Sequence, residues 1–187
     1  MAIEEPKYSI IEQEESFELR AYEPMIVAET YVTGSLDEAS SKGFRRIAGY
    51  IFGSNTNSEG EKQKVSMTAP VAITANSPEI NMISQTKLES DEGKWRVHFV
   101  MPSEYQIDSL PTPKKKNVVL REIPAEKFAV ISFSGLASEK KVAKKTQELK
   151  KILSERNIKP NGEPILARYN PPWTLPFMRR NEIMVSY

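Results

Sequence analysis

The sequence predicts an α+β domain in which a strand–helix–strand–strand unit occurs twice. A weak internal repeat is the first observation: four residues between positions 19 and 34 recur 101 positions later, where about one identity is expected at random. The matching pairs are Leu19 and Leu120, Arg20 and Arg121, Ala28 and Ala129, and Gly34 and Gly135. We expect one domain over residues 1–187, with pseudo-repeats at roughly 8–102 and 118–187. The units would form an antiparallel sheet or distorted open barrel with two outer helices and a cleft between the halves.

Two helices are predicted from capping signals and apolar spacing. The first runs from Leu36 to about Phe52, because Ser35 and Glu38 form a capping box and Gly53 suits the position just past the end. The second runs from about Ser138 to Arg156, with a narrow apolar stripe and many lysines on its other faces.

Each predicted helix is followed by two predicted strands. The first strand of each pair ends in proline and covers 65–71 in one half and 166–172 in the other. The second strand covers Trp95 to Met101 and Glu182 to Tyr187. Polar and proline-rich stretches predict irregular segments at 54–64, 76–93 and 108–117.

The composition excludes several classes of function. Cysteine is absent and His98 is the single histidine, so disulfides, thiolate metal sites and histidine-rich metal sites are excluded. The net charge of +1 argues against nucleic acid as a partner. No apolar run is long enough for a membrane span, and the acidic start does not resemble a signal peptide. We expect a cytoplasmic monomer, unless an export signal has been removed.

Four segments carry a resemblance to a known family. They are 4–8 (EEPKY), 43–53 (GFRRIAGYIFG), 64–71 (KVSMTAPV) and 167–182 (ARYNPPWTLPFMRRNE). In order and spacing they resemble the SOUL haem-binding proteins over essentially the whole chain. The resemblance implies a duplicated barrel-like domain, similar to the ligand-binding domains of bacterial effector-binding regulators. It also implies reversible, non-covalent binding of haem or another tetrapyrrole for transport, buffering or sensing, with an apolar helix face in the binding surface.

We map this implied site onto the first helix. The residues placed against the macrocycle are Phe44, Ile47, Ala48 and Ile51. The cations available to its carboxylates are Lys42, Arg45, Arg46 and Lys64. The alternative is that Phe44, Ile47 and Ile51 only pack on the sheet, since an outer helix must bury one face.

Two residues are candidates for an axial haem ligand, His98 and Met67. Alternation along the strand places His98 on the same face as Arg96, which favours a histidine on a polar face over a ligand. For Met67 the competing interpretation is core packing. We predict no separate metal site and no catalytic residues.

Two other classes of function stay open. A small-molecule effector-binding or hydrolytic domain of the same fold would need a carboxylate in the cleft, for which Glu182, Glu29 and Tyr187 are the candidates by position. No common catalytic motif accompanies them. An interaction module would use the lysine-covered second helix. The stiff aromatic run 171–177 is either a wall or lid over the cleft or a buried connection.

Overall fold

The computed structural model describes residues 3–75 and 95–187. Two helices, α1 (Leu36–Ile51) and α2 (Glu139–Glu155), lie among eleven strands in this part of the chain. The strands of the first half are β1 (Tyr8–Glu14), β2 (Phe17–Tyr22), β3 (Met25–Val32), β4 (Asn55–Thr56), β5 (Val71–Ala75) and β6 (Trp95–Val100). Those of the second half are β7 (Thr112–Pro113), β8 (Val119–Ile123), β9 (Glu126–Ser134), β10 (Ile165–Arg168) and β11 (Arg180–Ser186).

Nine of these strands form one antiparallel sheet in the order β1-β2-β9-β11-β10-β5-β6-β3-β8. The sheet curls into a half-barrel, and the short strands β4 and β7 pair separately. Helix α1 packs on β3 and β6, and α2 packs on β9 and β11. The predicted α+β class with two outer helices is confirmed, whereas the internal repeat stays a prediction.

Both helices begin within one residue of the predicted position, at Leu36 and Glu139. The backbone N–H of Glu38 donates to Ser35 Oγ at 3.3 Å, and the N–H of Ser35 donates to Glu38 Oε2 at 3.0 Å. Gly53 follows the helix with φ of +117°, a conformation that glycine adopts without a steric cost. Ser138 caps α2 with one hydrogen bond, which its side chain accepts from the N–H of Lys141.

The strands predicted to end in proline are shorter than expected. Over 65–71 only Val71 belongs to a strand, and Thr68 makes no more than an isolated bridge with Glu4. The strand expected over 166–172 ends at Arg168. In the first segment the strand starts only after Pro70, and in the second it ends before Pro171, so both prolines lie outside the ladder, to which they could supply no N–H. The irregular segment predicted at 76–93 lies outside the described residues.

The two faces of the sheet have different surroundings. Along β6, Val97 and Phe99 point to the helices and belong to the main core. A Cβ on Gly43 of α1 would lie 2.5 Å from Val97, so this glycine permits the close approach of helix and strand. The alternate residues Arg96 and His98 point to the opposite face, where they line a cleft. Residues on that face are therefore available to a ligand.

Candidate functional site

An open cleft of about 420 Å³ lies on the face of the sheet that points away from the helices. This volume falls within the range of small-molecule sites in proteins. Its apolar lining comes from strands of both halves and includes Met25, Ala72, Val100, Ile123, Phe128, Ile165 and Met184. Alternation along each strand places these side chains on the cleft side, which accounts for an apolar wall outside the main core.

Two arginines give this cleft a cationic rim, and we name it the cationic cleft. Arg121 donates to Glu29 at 3.0 Å, and the Arg96 guanidinium lies 3.9 Å from the same carboxylate. Glu29 is 3% exposed, whereas the Arg121 side chain is 31% exposed. One carboxylate thus faces two guanidinium groups, and two further carboxylates, Glu126 and Glu163, also line the cleft.

His98 lies between these charges and the apolar wall. Its side chain is buried, and Nδ1 has no hydrogen-bond partner among the described residues; the same is true of Arg96 Nε. Burial, together with the positive charges of Arg96 and Arg121, lowers the pKa of His98 to about 3. The imidazole is therefore neutral at physiological pH, and one of its ring nitrogens carries a lone pair.

A buried ion-pair cluster surrounds Glu182 near Tyr22 and Tyr169, two of the residues that line the cationic cleft. Glu182 is fully buried and accepts hydrogen bonds from Arg20 at 2.9 and 3.0 Å, from Tyr169 at 2.6 Å and from Arg180 at 2.9 Å. Burial alone would raise the pKa of the Glu182 carboxyl, but the hydrogen bonds and charges of Arg20, Tyr169 and Arg180 outweigh it and lower the pKa.

The carboxylates proposed for a hydrolytic site are thus engaged in ion pairs. A general base in a cleft is expected to have a raised pKa, whereas that of Glu182 is lowered. Glu29 is paired with Arg121. Burial raises the pKa of the Tyr187 phenol, which keeps it protonated at neutral pH. These contacts are typical of carboxylates that position neighbouring side chains and balance their charges, rather than of a general base that abstracts a proton from a substrate.

A second, larger cleft of about 790 Å³ adjoins the first and shares Pro6, Met25, Val100 and Ile123 with it. Its lining includes five acidic residues, Glu4, Glu5, Glu23, Asp108 and Glu122. This acidic lining would repel a ligand with carboxylate groups. Of the two clefts, only the cationic one has arginines in its lining, where Arg96 and Arg121 stand beside two glutamates; the larger cleft has Lys7 as its one basic residue against five acidic ones.

The apolar residues that the sequence assigns to the ligand on α1 are mostly in the core. Ile47 and Ile51 are 0% and 1% exposed, and Ala48 is 7% exposed. Phe44 is the exception at 36%, with its ring 5.6 Å from that of Phe99. The face of α1 that contains Ile47 and Ile51 packs on the sheet, on the side opposite His98.

The cations assigned to the same site lie along the outside of the molecule. Lys42 donates to the Thr33 carbonyl at 3.1 Å, and Arg45 donates to Ser41 within its own helix at 3.3 Å. Arg46 donates to the Tyr31 carbonyl at 2.7 Å. Lys64 is exposed, and Met67 is half-buried against the helix-side core. The structure therefore does not bring these residues together with His98.

Sequence reasoning missed Arg121 as a site residue. In β8 it lies opposite Val27 of β3, which is two positions from Glu29. Arg121 and Glu29 are 92 positions apart along the chain. The repeat did mark Arg121 as the counterpart of Arg20, and both arginines bind a buried glutamate in the structure. The sequence feature that could have identified Arg121 is a charged residue within a strand of alternating apolar and polar residues.

Within 3–75 and 95–187, none of the helices has the length and hydrophobicity to cross a membrane. In the same ranges, no three acidic, histidine or cysteine residues are grouped so that they could hold a metal ion.

Solved structures with the same fold share little sequence with this chain. A structure titled as a hydrolase from Listeria innocua aligns with a TM-score of 0.62 and 11% identity, covering 94% of this chain and 93% of that one. The EcmrR C-terminal domain aligns with a TM-score of 0.59 and 12% identity, covering 96% of each chain. At these identities the likeness establishes the fold alone.

Sequence comparison is more specific. Heme-binding protein 1 of Xenopus laevis is 30% identical over 169 residues, which cover 90% of this chain and 82% of the relative. The family described as SOUL heme-binding protein matches residues 3–186. This match extends over nearly the full sequence and agrees with the resemblance carried by the four segments. The chain therefore belongs to the SOUL haem-binding protein family.

Proposed function

We propose that this protein binds haem or a related tetrapyrrole reversibly in the cationic cleft. The observation that carries the proposal is the combination of an apolar wall with Arg96 and Arg121 at its rim. A tetrapyrrole needs apolar contact for its macrocycle and cations for its carboxylates. Because the cleft is open, the macrocycle can enter in part and leave again, as transport, buffering or sensing requires.

The unpartnered polar atoms support an anionic ligand at this position. A buried polar group without a partner costs free energy, and Arg96 Nε is such a group beside the cleft. A ligand carboxylate that accepts a hydrogen bond from Arg96 Nε would remove this cost. Bound haem supplies an iron centre, and the neutral His98 imidazole offers it a nitrogen ligand.

Titrations monitored by visible absorption test the proposal, with hemin and metal-free protoporphyrin as separate ligands. We expect saturable binding of both, and Arg121→Gln should weaken it about tenfold through loss of a charged hydrogen bond. Arg45→Gln on α1 is the matched control, because that guanidinium is exposed and contacts its own helix. Its affinity should equal that of the wild type.

The outcomes separate the two possible locations. If Arg45→Gln and Phe44→Ala weaken binding while Arg121→Gln has no effect, the ligand lies on α1 and the cleft proposal is wrong. If neither tetrapyrrole binds saturably, the proposed function itself is wrong. His98→Ala addresses ligation: loss of a shifted Soret band with hemin identifies His98 as the axial ligand, whereas unchanged spectra indicate binding by apolar and ionic contacts.

A further inference from the structure

Four large apolar side chains project into solvent from the segment between β10 and β11, and we name them the apolar tip. They are Trp173, Leu175, Phe177 and Met178, which are 83%, 56%, 73% and 62% exposed. Single exposed apolar residues are common on protein surfaces, but such a concentration within six positions is typical of an interaction site. The predicted alternatives for this run were a lid or a buried connection, and the exposure excludes burial of these four side chains.

The backbone of this segment is held in place although its side chains are exposed. The N–H of Arg180 donates to Asn170 Oδ1 at 2.6 Å at the base, and Thr174 N–H donates to the Pro171 carbonyl at 3.0 Å. The Arg179 guanidinium bonds the carbonyls of Thr174 and Pro172. Because the segment is already ordered, inserting the tip into an apolar medium costs little conformational entropy.

Positive charge lies at the base of the tip. Residues 164–181 contain three arginines, of which Arg168 is paired with Asp37 and Arg180 with Glu5 and Glu182. Arg179 contacts only carbonyl oxygens, so within the described ranges no carboxylate neutralises it. Lys141 donates to the Ser134 carbonyl at 2.6 Å, and Ser134 pairs with Arg180 at the end of β11. An apolar projection with cations at its base is suited to lipid tails and anionic headgroups.

We propose that the apolar tip inserts into the surface of a lipid bilayer that carries anionic headgroups. The tip is a narrow projection of four side chains, whereas a stable protein interface uses about 20–30 residues on each side. Tryptophan beside other apolar residues is also the composition found at membrane interfaces. This surface is separate from the cationic cleft, and the proposal does not depend on tetrapyrrole binding.

Trp173 makes the proposal directly measurable. The chain has two tryptophans, so in a Trp95→Phe background the fluorescence reports on the tip alone. With vesicles of phosphatidylcholine and phosphatidylserine, we expect a blue shift of the emission and sedimentation of the protein with the vesicles. Phosphatidylcholine alone and high salt should both weaken binding, because they remove or screen the attraction to Arg179 and Lys141.

A matched pair of variants tests the position of contact. Phe177→Asp should lower vesicle binding at least about tenfold, since it places a charge in the inserted surface. Ile11→Asp, which changes a 51% exposed apolar residue on β1, should bind vesicles like the parent. Absence of vesicle binding would overturn the proposal. Self-association that rises with protein concentration and disappears in Phe177→Asp would assign the tip to a second copy of the chain instead, and would also overturn it.

Discussion

Replacing Glu182 by glutamine should destabilise the fold strongly, because the substitution removes the one negative charge at the centre of the buried cluster. Arg20 is 2% exposed and loses its bidentate partner. Removing one partner of a buried ion pair costs about 3–5 kcal/mol. We expect a value near the lower end, about 3 kcal/mol, since Arg20 retains Glu18 at 2.6 Å and Arg180 retains Glu5 at 3.0 Å.

Urea unfolding at neutral pH measures this loss as a lower midpoint with an unchanged slope. Glu18→Gln is the control: this residue binds the same arginine from a more exposed position, and its loss should cost about 1 kcal/mol or less. The reasoning is refuted if Glu182→Gln lowers the free energy of unfolding no more than Glu18→Gln does, since the central charge would then contribute nothing beyond the Arg20–Glu18 pair.

The pH dependence provides a second readout for the same residue. The folded-state pKa of Glu182 is lowered from its ordinary value of 4.5. The folded state therefore favours the ionised form, and this stabilisation is present above pH 4.5 and is lost as pH falls through the lower folded pKa. The Glu182→Gln variant lacks this contribution, so its stability should fall less steeply below pH 4.5 than that of the wild type.

Three further predictions concern separate parts of the fold. His98 has a folded pKa of about 3 against an ordinary 6.5, so stability should decline as pH falls through that window, and His98→Leu should flatten the decline in urea titrations. Gly43→Ala should lower the free energy of unfolding by about 1–3 kcal/mol, because the added Cβ would collide with Val97. Gly49→Ala, where a Cβ would meet no neighbouring atom, should raise it by up to about 1 kcal/mol. Equal melting temperatures for the two variants would contradict this. Ser35→Ala should lower the free energy of unfolding by about 1 kcal/mol in urea titrations. An unchanged midpoint would mean that the cap does not stabilise the fold.

Features encoded by neighbouring residues could be predicted from the sequence. The capping box of Ser35 and Glu38 lies within one helical turn, and the alternation of β6 correctly placed Arg96 and His98 on one face. Gly53 marked the end of α1. The mistaken strand over 65–71 came from treating this run as regular, whereas the strand begins only after Pro70, at Val71.

The arrangement of the site depends on contacts between residues that are distant along the chain, so it could not be predicted from local sequence patterns. Arg20 and Glu182 are 162 positions apart, and Arg121 and Glu29 are 92 apart. The apolar spacing of α1 is the same whether that face binds a ligand or a sheet, so Ile47 and Ile51 could not be assigned without the sheet. Similarly, an aromatic run with prolines has no period that reveals whether Trp173 is buried.

The imidazole of His98 gives the most direct test of tetrapyrrole binding in the cationic cleft. It is the single histidine, so its ring protons can be followed in a one-dimensional proton NMR spectrum of the unmodified protein. Metal-free protoporphyrin bound in the cleft should shift these signals saturably, because its macrocycle carries a strong ring current and would lie against His98. If the signals stay unchanged while absorption shows that protoporphyrin is bound, the ligand lies elsewhere and the account of the cleft is wrong.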